Sequence, residues 1–295
     1  MHIPDGFLSA PVWGAFDVLA LPALGIAARR AQRGLDERNV PLLGVMGAFV
    51  FAAQMINFPV GPGTSGHLVG AALLAIALGP AAASVVMTSI LAIQALVFQD
   101  GGILSLGANI FNMAIAGVLA GYLPYRLLAH AHRASAIFLG GVLSVLVSAA
   151  FAFAELAASG VPMPRRLLLL SMGFFLVGAL VEGAITLAAV GAMERLNPHW
   201  LRAPEQKTSP ALRWIAAAAL LLAVAGILIA SRYPDGIEHL AAPSAPAWLH
   251  APLAGYRVHG IESPWLRRSL AGAAGLILIY GACLFAGRLI SRRSA

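Results

Sequence analysis

Nine apolar runs, each long enough to approach or cross a hydrocarbon core of ~30 Å, recur along this chain. They fall at about residues 8–28, 40–58, 67–79, 81–99, 107–128, 135–158, 166–191, 212–231 and 269–290. Inside lipid each backbone N–H and C=O needs a partner within the protein, so such runs fold as helices rather than open strands. The chain therefore reads as all-α: a polytopic membrane helix bundle with a seven-helix core and two additional transmembrane helices. Only 11% of the residues are charged, against about 25% in soluble domains, so a soluble globular fold is excluded. The third run is short and is separated from the fourth by Gly79-Pro80, which predicts a tight helical hairpin.

The net charge of +7 does not point to nucleic acid. Most of it is arginine lying between the apolar runs. Arg29, Arg30, Arg33, Arg38, Arg126, Arg133, Arg195, Arg202, Lys207, Arg213, Arg292 and Arg293 share one side if nine spans start from an outside amino terminus. That is the positive-inside pattern, with Arg165, Arg166, Arg267 and Arg268 on the minority side. The predicted topology is amino terminus outside, carboxyl terminus inside. The polar stretch around 193–211 contains Asn197-Pro198, Pro204 and Ser209-Pro210, which discourage a continuous helix. It divides a core (1–192) from a two-helix unit (212–295). Cys283 is the only cysteine, so no intrachain disulfide or thiolate cluster can form.

Chemistry concentrates at the start of the chain, Met1-His2-Ile3-Pro4-Asp5-Gly6-Phe7-Leu8. A free Met1 amine and the His2 amide close a five-membered chelate ring around a metal; that amide and His2 Nδ1 close a six-membered one. Three nitrogens then lie in one plane with a fourth position open, a geometry suited to Ni(II) or Cu(II) and tolerable for Co(II). Hard oxygen-seeking ions are poorly served. No basic segment precedes an apolar core with a cleavage pattern. The bulk of His2 disfavours removal of Met1, so the amine is expected to stay free.

On the predicted topology two further loops face the same side. The first, 57–67, ends in Gly63-Thr64-Ser65-Gly66-His67, and His67 can fill the open corner if the chain end tucks into the bundle. The second carries Phe98-Gln99-Asp100-Gly101-Gly102 and, further on, Asn109-Ile110-Phe111-Asn112-Met113. Asn109 and Asn112, three apart, share a face of an ideal helix. Their amides can fix the ligating imidazoles or simply knit helices together. Ser65, Gln99 and Asp100 are candidates for supporting or gating the site. Asp17 and Glu182 lie within apolar runs, where ionisable groups are paired or functional. Gly117 and Gly121 form a small-residue face for packing within the bundle or against another subunit.

These three motifs, in this order, resemble the CbiM/NikM family, the substrate-binding membrane components of energy-coupling factor transporters for cobalt or nickel, over roughly residues 1–192. The resemblance implies a seven-helix core whose amino terminus inserts into the bundle. It also implies metal bound by Met1, His2 and His67 in a near-square plane. Tyr233-Pro234-Asp235-Gly236-Ile237-Glu238-His239 is similar to the PDGLE segment of the CbiN/NikN-type accessory component. Asp235, Glu238 and His239 there are candidates for sampling incoming cations.

The resemblance further implies a transmembrane coupling subunit, cytoplasmic ABC-type ATPases and a location in the bacterial cytoplasmic membrane. No permanent cofactor is implied, and Ni2+ or Co2+ is the substrate. The chain has no G-x-x-x-x-G-K-[ST] loop, so ATP hydrolysis would fall to separate subunits. A stand-alone secondary transporter or channel is the alternative, although no paired half-repeats are visible. A metalloenzyme lacks support, since no H-E-x-x-H motif occurs. Pro4-Asp5 tilts the choice of metal weakly to nickel.

Overall fold

The computed structural model describes residues 1–196, 210–228, 230–231, 233, 237 and 251–291. Helices dominate, in the order α1 (Ala10–Gly34), α2 (Val40–Gln54), α3 (Ala71–Leu78), α4 (Pro80–Ile93), α5 (Leu106–Asn109), α6 (Val118–Leu128), α7 (Arg133–Ala158), α8 (Arg165–Leu196), α9 (Pro210–Ala225) and α10 (Pro264–Ile290). Two π-helical stretches, Gln94–Phe98 and Ile110–Gly117, extend α4 and join α5 to α6. Among the described residues, six helices are long and apolar enough to cross a membrane: Ala10–Gly34, Pro80–Phe98, Leu106–Leu128, Arg133–Ala158, Arg165–Leu196 and Pro264–Ile290. The chain is a multi-pass membrane protein. Predicted linker residues 193–196 belong to α8 instead, and residues 197–209 lie outside the described residues.

The third apolar run departs most from expectation. Residues 67–70 are not helical, and α3 begins at Ala71 with only 8 residues, about 12 Å at 1.5 Å per residue and too short to span. A β-hairpin pairs β1 (Phe58–Gly61) antiparallel to β2 (Thr64–Gly66) just before it, where the sequence showed only a loop. Gly70 adopts φ 74° and caps α3.

Non-helical backbone at membrane depth is tolerated only where protein groups satisfy it. Here they do. The Val69 and Gly70 amides each donate to a Glu182 carboxylate oxygen at 2.8 Å, and Gln54 Nε2 donates to the Val69 carbonyl at 2.8 Å. Glu182 thus partners backbone rather than a side chain on another helix. The turn at Gly79-Pro80 matches the predicted hairpin, with Gly79 at φ 79° and Pro80 opening α4.

Helix α3 is buried among α4, α6, α7 and α8. The small-residue face on α6 serves this internal packing. A Cβ on Gly121 would stand 2.8 Å from Ala72 Cα, and one on Gly140 would stand 2.5 Å from the Gly121 carbonyl oxygen. Gly121→Val is therefore expected to destabilise the bundle by about 1–3 kcal/mol, read as a lower melting temperature in detergent.

The C-terminal helices α9 and α10 both pack on α2. Small residues allow the approach: a Cβ on Gly47 would meet Cys283 Sγ at 2.7 Å, and one on Gly287 would meet Val40 Cγ1 at 2.8 Å. The two-helix unit is thereby held against α2 of the core.

Candidate metal centre

The first residues of the chain are threaded into the bundle. Met1, His2 and Ile3 are all buried, with His2 only 4% exposed. Ile3 is fixed from both sides of its backbone. Its amide donates to Asn109 Oδ1 at 2.8 Å, and its carbonyl accepts from Asn109 Nδ2 at 3.0 Å, from the Gly102 amide at 2.9 Å and from Ser105 Oγ at 2.5 Å. Asp5 Oδ1 accepts from the Leu104 amide at 2.8 Å. The Gly101-Gly102 pair makes this approach possible. Gly101 sits at φ 89°, and a Cβ on Gly102 would lie 2.1 Å from Asp5 Oδ1.

This anchoring brings the Met1 amine to 2.8 Å from His67 Nε2. His67 Nδ1 lies 2.9 Å from the Leu68 carbonyl oxygen. A carbonyl only accepts, so Nδ1 carries the proton and Nε2 offers its lone pair toward the amine. Metal–nitrogen bonds of about 2.0 Å put neighbouring corners of a square plane about 2.8 Å apart. The amine and His67 Nε2 already stand at that spacing. The His2 and His67 rings are near-parallel, 7° apart, with centroids 5.1 Å apart.

His2 Nδ1 lies 3.0 Å from Asp100 Oδ1, a charge contact without the direction of a hydrogen bond. Neither ring nitrogen of His2 has a hydrogen-bond partner. A buried polar atom in that state is costly unless something else satisfies it. No three His, Cys, Asp or Glu side chains converge as a metal cage among the described residues.

Asp100 is the carboxylate that faces His2 Nδ1. Burial would raise its pKa, but the His2 ring beside it and the Tyr256 hydrogen bond outweigh it and hold the group well below the usual carboxylate range. It stays anionic beside the donor nitrogens. Gln99, in the left-handed region at φ 55°, ends the π-helix and turns the chain into Asp100. Gln99, Asp100 and His67 line a cavity of about 360 Å³. Ser65 is buried and donates to the Tyr233 carbonyl at 2.5 Å, tying the hairpin to the C-terminal unit.

The two asparagines part company. Asn109 grips Ile3 rather than an imidazole. The Asn112 side chain donates to Glu155 Oε2 at 2.8 Å, and its backbone carbonyl accepts from Ser148 Oγ at 2.8 Å. The π-helix that begins at Ile110 winds more loosely than an α-helix, so a spacing of three no longer keeps both amides on one face. Asp17, another residue of open role, accepts from the Gly107 amide at 2.9 Å.

Ser105, Asp5, Gln54, Gln94 and Tyr256 support the site without having been singled out from sequence. For Ser105 the signal was its place in the glycine-rich loop; Tyr256 offered none. Asp235, Glu238 and His239 lie outside the described residues.

Residues 2–200 match the family model for CbiM, described as the cobalt uptake substrate-specific transmembrane region. The chain belongs to the CbiM family. It is 36% identical over 290 residues to a putative fused nickel transport protein NikMN of Archaeoglobus fulgidus, covering 95% of each chain. It is 38% identical over 151 residues to the cobalt transport protein CbiM of Acetoanaerobium sticklandii, covering 50% of this chain and 62% of that one. A crystal structure of a transition metal transporter superposes with a TM-score of 0.61 at 36% identity, covering 67% of this chain and 94% of that chain. The match to the fused relative extends through the C-terminal unit. The superposed structure covers about the same fraction of the chain as the family match.

Proposed function

We propose that this chain is the substrate-capturing membrane subunit of an ATP-driven energy-coupling factor importer for Ni2+ or Co2+. The ion would be held by the Met1 amine, the His2 amide, His2 Nδ1 and His67 Nε2. The observation that carries the reading is the 2.8 Å approach of the Met1 amine to His67 Nε2, with the His67 tautomer set by Leu68. Chelation through His2 places its amide opposite His67 and the amine and imidazole at the remaining corners.

Asn109, Ser105 and Gly102 hold the chain end in place, and Asp100 supplies negative charge next to a bound cation. The amine and the amide must give up protons, so affinity rises with pH. Residues 1–192 act as the capturing core, and the C-terminal unit acts as an accessory beside it. With the amino terminus outside, capture precedes a reorientation driven by a coupling subunit and separate cytoplasmic ATPases, which releases the ion inward.

Equilibrium dialysis of Ni2+ and Co2+ against the purified chain tests the ligand set. One ion per chain is expected for the wild type, and none for His2→Ala or His67→Ala at the same concentrations, with helical content unchanged. Undiminished binding by His67→Ala would refute it.

A further inference from the structure

We infer that Tyr256 is a positioning residue of the metal centre, reaching in from the C-terminal unit to hold the negative charge of Asp100 beside the donor nitrogens. The inference rests on the metal-binding reading above. The Tyr256 hydroxyl donates to Asp100 Oδ2, and the other oxygen of that carboxylate faces His2 Nδ1 at 3.0 Å. Gln94 Nε2 contacts the Tyr256 hydroxyl at 3.3 Å and Gln54 Oε1 at 2.9 Å, and Gln54 Nε2 reaches the Val69 carbonyl at 2.8 Å. One run of polar contacts therefore joins His2 to the backbone two residues beyond His67. Tyr256 is the link in that run that joins Asp100 to Gln94.

The placement of Tyr256 is specific. It is one of two non-glycine residues with positive φ among the described residues, at 57°, and the other is Gln99 at 55°. The two left-handed residues sit on either side of the Asp100 contact. Such backbone is costly for a bulky side chain and persists only where its surroundings enforce it.

Two kinds of contact enforce it. The Leu253 and Gly255 amides donate to the Val97 and Phe98 carbonyls at 2.9 and 3.0 Å, capping the last turn of the π-helix. The Tyr256 ring also stacks on Phe98, with centroids 4.7 Å apart and planes 18° apart. The C-terminal turn is thus fitted to the end of the helix that delivers Asp100. Asp100 would keep its position beside the donor plane only while the hydroxyl holds it.

The test is a Ni2+ titration of the full chain in detergent for the wild type, Tyr256→Phe, Asp100→Asn and the double variant, with His67→Ala as control. Loss of a group just outside the ligand set typically weakens metal affinity by about 10-fold or more. Tyr256→Phe is expected to weaken binding about 10-fold with an unchanged melting temperature, and to cost little further in the Asp100→Asn background. Gln94→Met removes the amide that steadies the hydroxyl, carries the same expectation of weakened binding and serves where Tyr256→Phe does not fold. Wild-type affinity in Tyr256→Phe, or an equal loss in both backgrounds, would overturn the inference while leaving the metal centre intact. Binding that does not depend on His67 would instead overturn the metal centre and the inference with it.

Discussion

A chain extended ahead of Met1 is expected to lose Ni2+ and Co2+ binding by on the order of 100-fold or more, the cost of one ligand in a four-ligand site. Two separate effects produce the loss. Extension turns the basic amine into an amide, which is a far weaker donor. It also demands space that is absent, because Met1 is 7% exposed and its nitrogen sits against His67. Retention of a formyl group on Met1 separates the two, since it adds little bulk but still removes the basic lone pair. Comparable loss in the formylated and the extended chains assigns the effect to coordination. Competitive dialysis against a chelator of known affinity measures both.

Replacing Glu182 is expected to have the largest effect on stability. Its carboxylate is fully buried and serves two backbone amides, Val69 and Gly70, at 2.8 Å each. Glu182→Ala leaves both donors buried without partners, at about 1–3 kcal/mol apiece, so a loss of about 2–6 kcal/mol is expected. Glu182→Gln should fall between the wild type and Ala, because its carbonyl can accept one bond while its NH2 faces the other donor. The damage lies two and three residues beyond His67, so metal affinity should fall alongside the melting temperature. Thermal unfolding in detergent, paired with the Ni2+ titration, checks both.

Much of this was legible in the sequence for identifiable reasons. Each long helix follows from an apolar run that has only one way to satisfy its backbone in lipid. His2 and His67 stood out because position in the chain, rather than residue type alone, gave them a chemistry. The 58–70 segment was less legible. Its unwound stretch depends on Glu182 and Gln54, which lie far away in sequence, and no local signal in Leu68-Val69-Gly70 announces partners so distant. Of the two roles open to Asn112, the structure shows the helix-knitting one, through Glu155. Tyr256 was invisible because its meaning comes from a contact with Asp100 across 156 positions of chain.

The central claim is that four nitrogens, from Met1, His2 and His67, surround the ion. X-ray absorption at the nickel edge of the loaded full chain tests it most directly. The account predicts four nitrogen neighbours at about 2.0 Å, a square-planar edge signature, and no bound nickel in His67→Ala loaded the same way. A six-coordinate, oxygen-dominated shell, or a spectrum unchanged by His67→Ala, would contradict it.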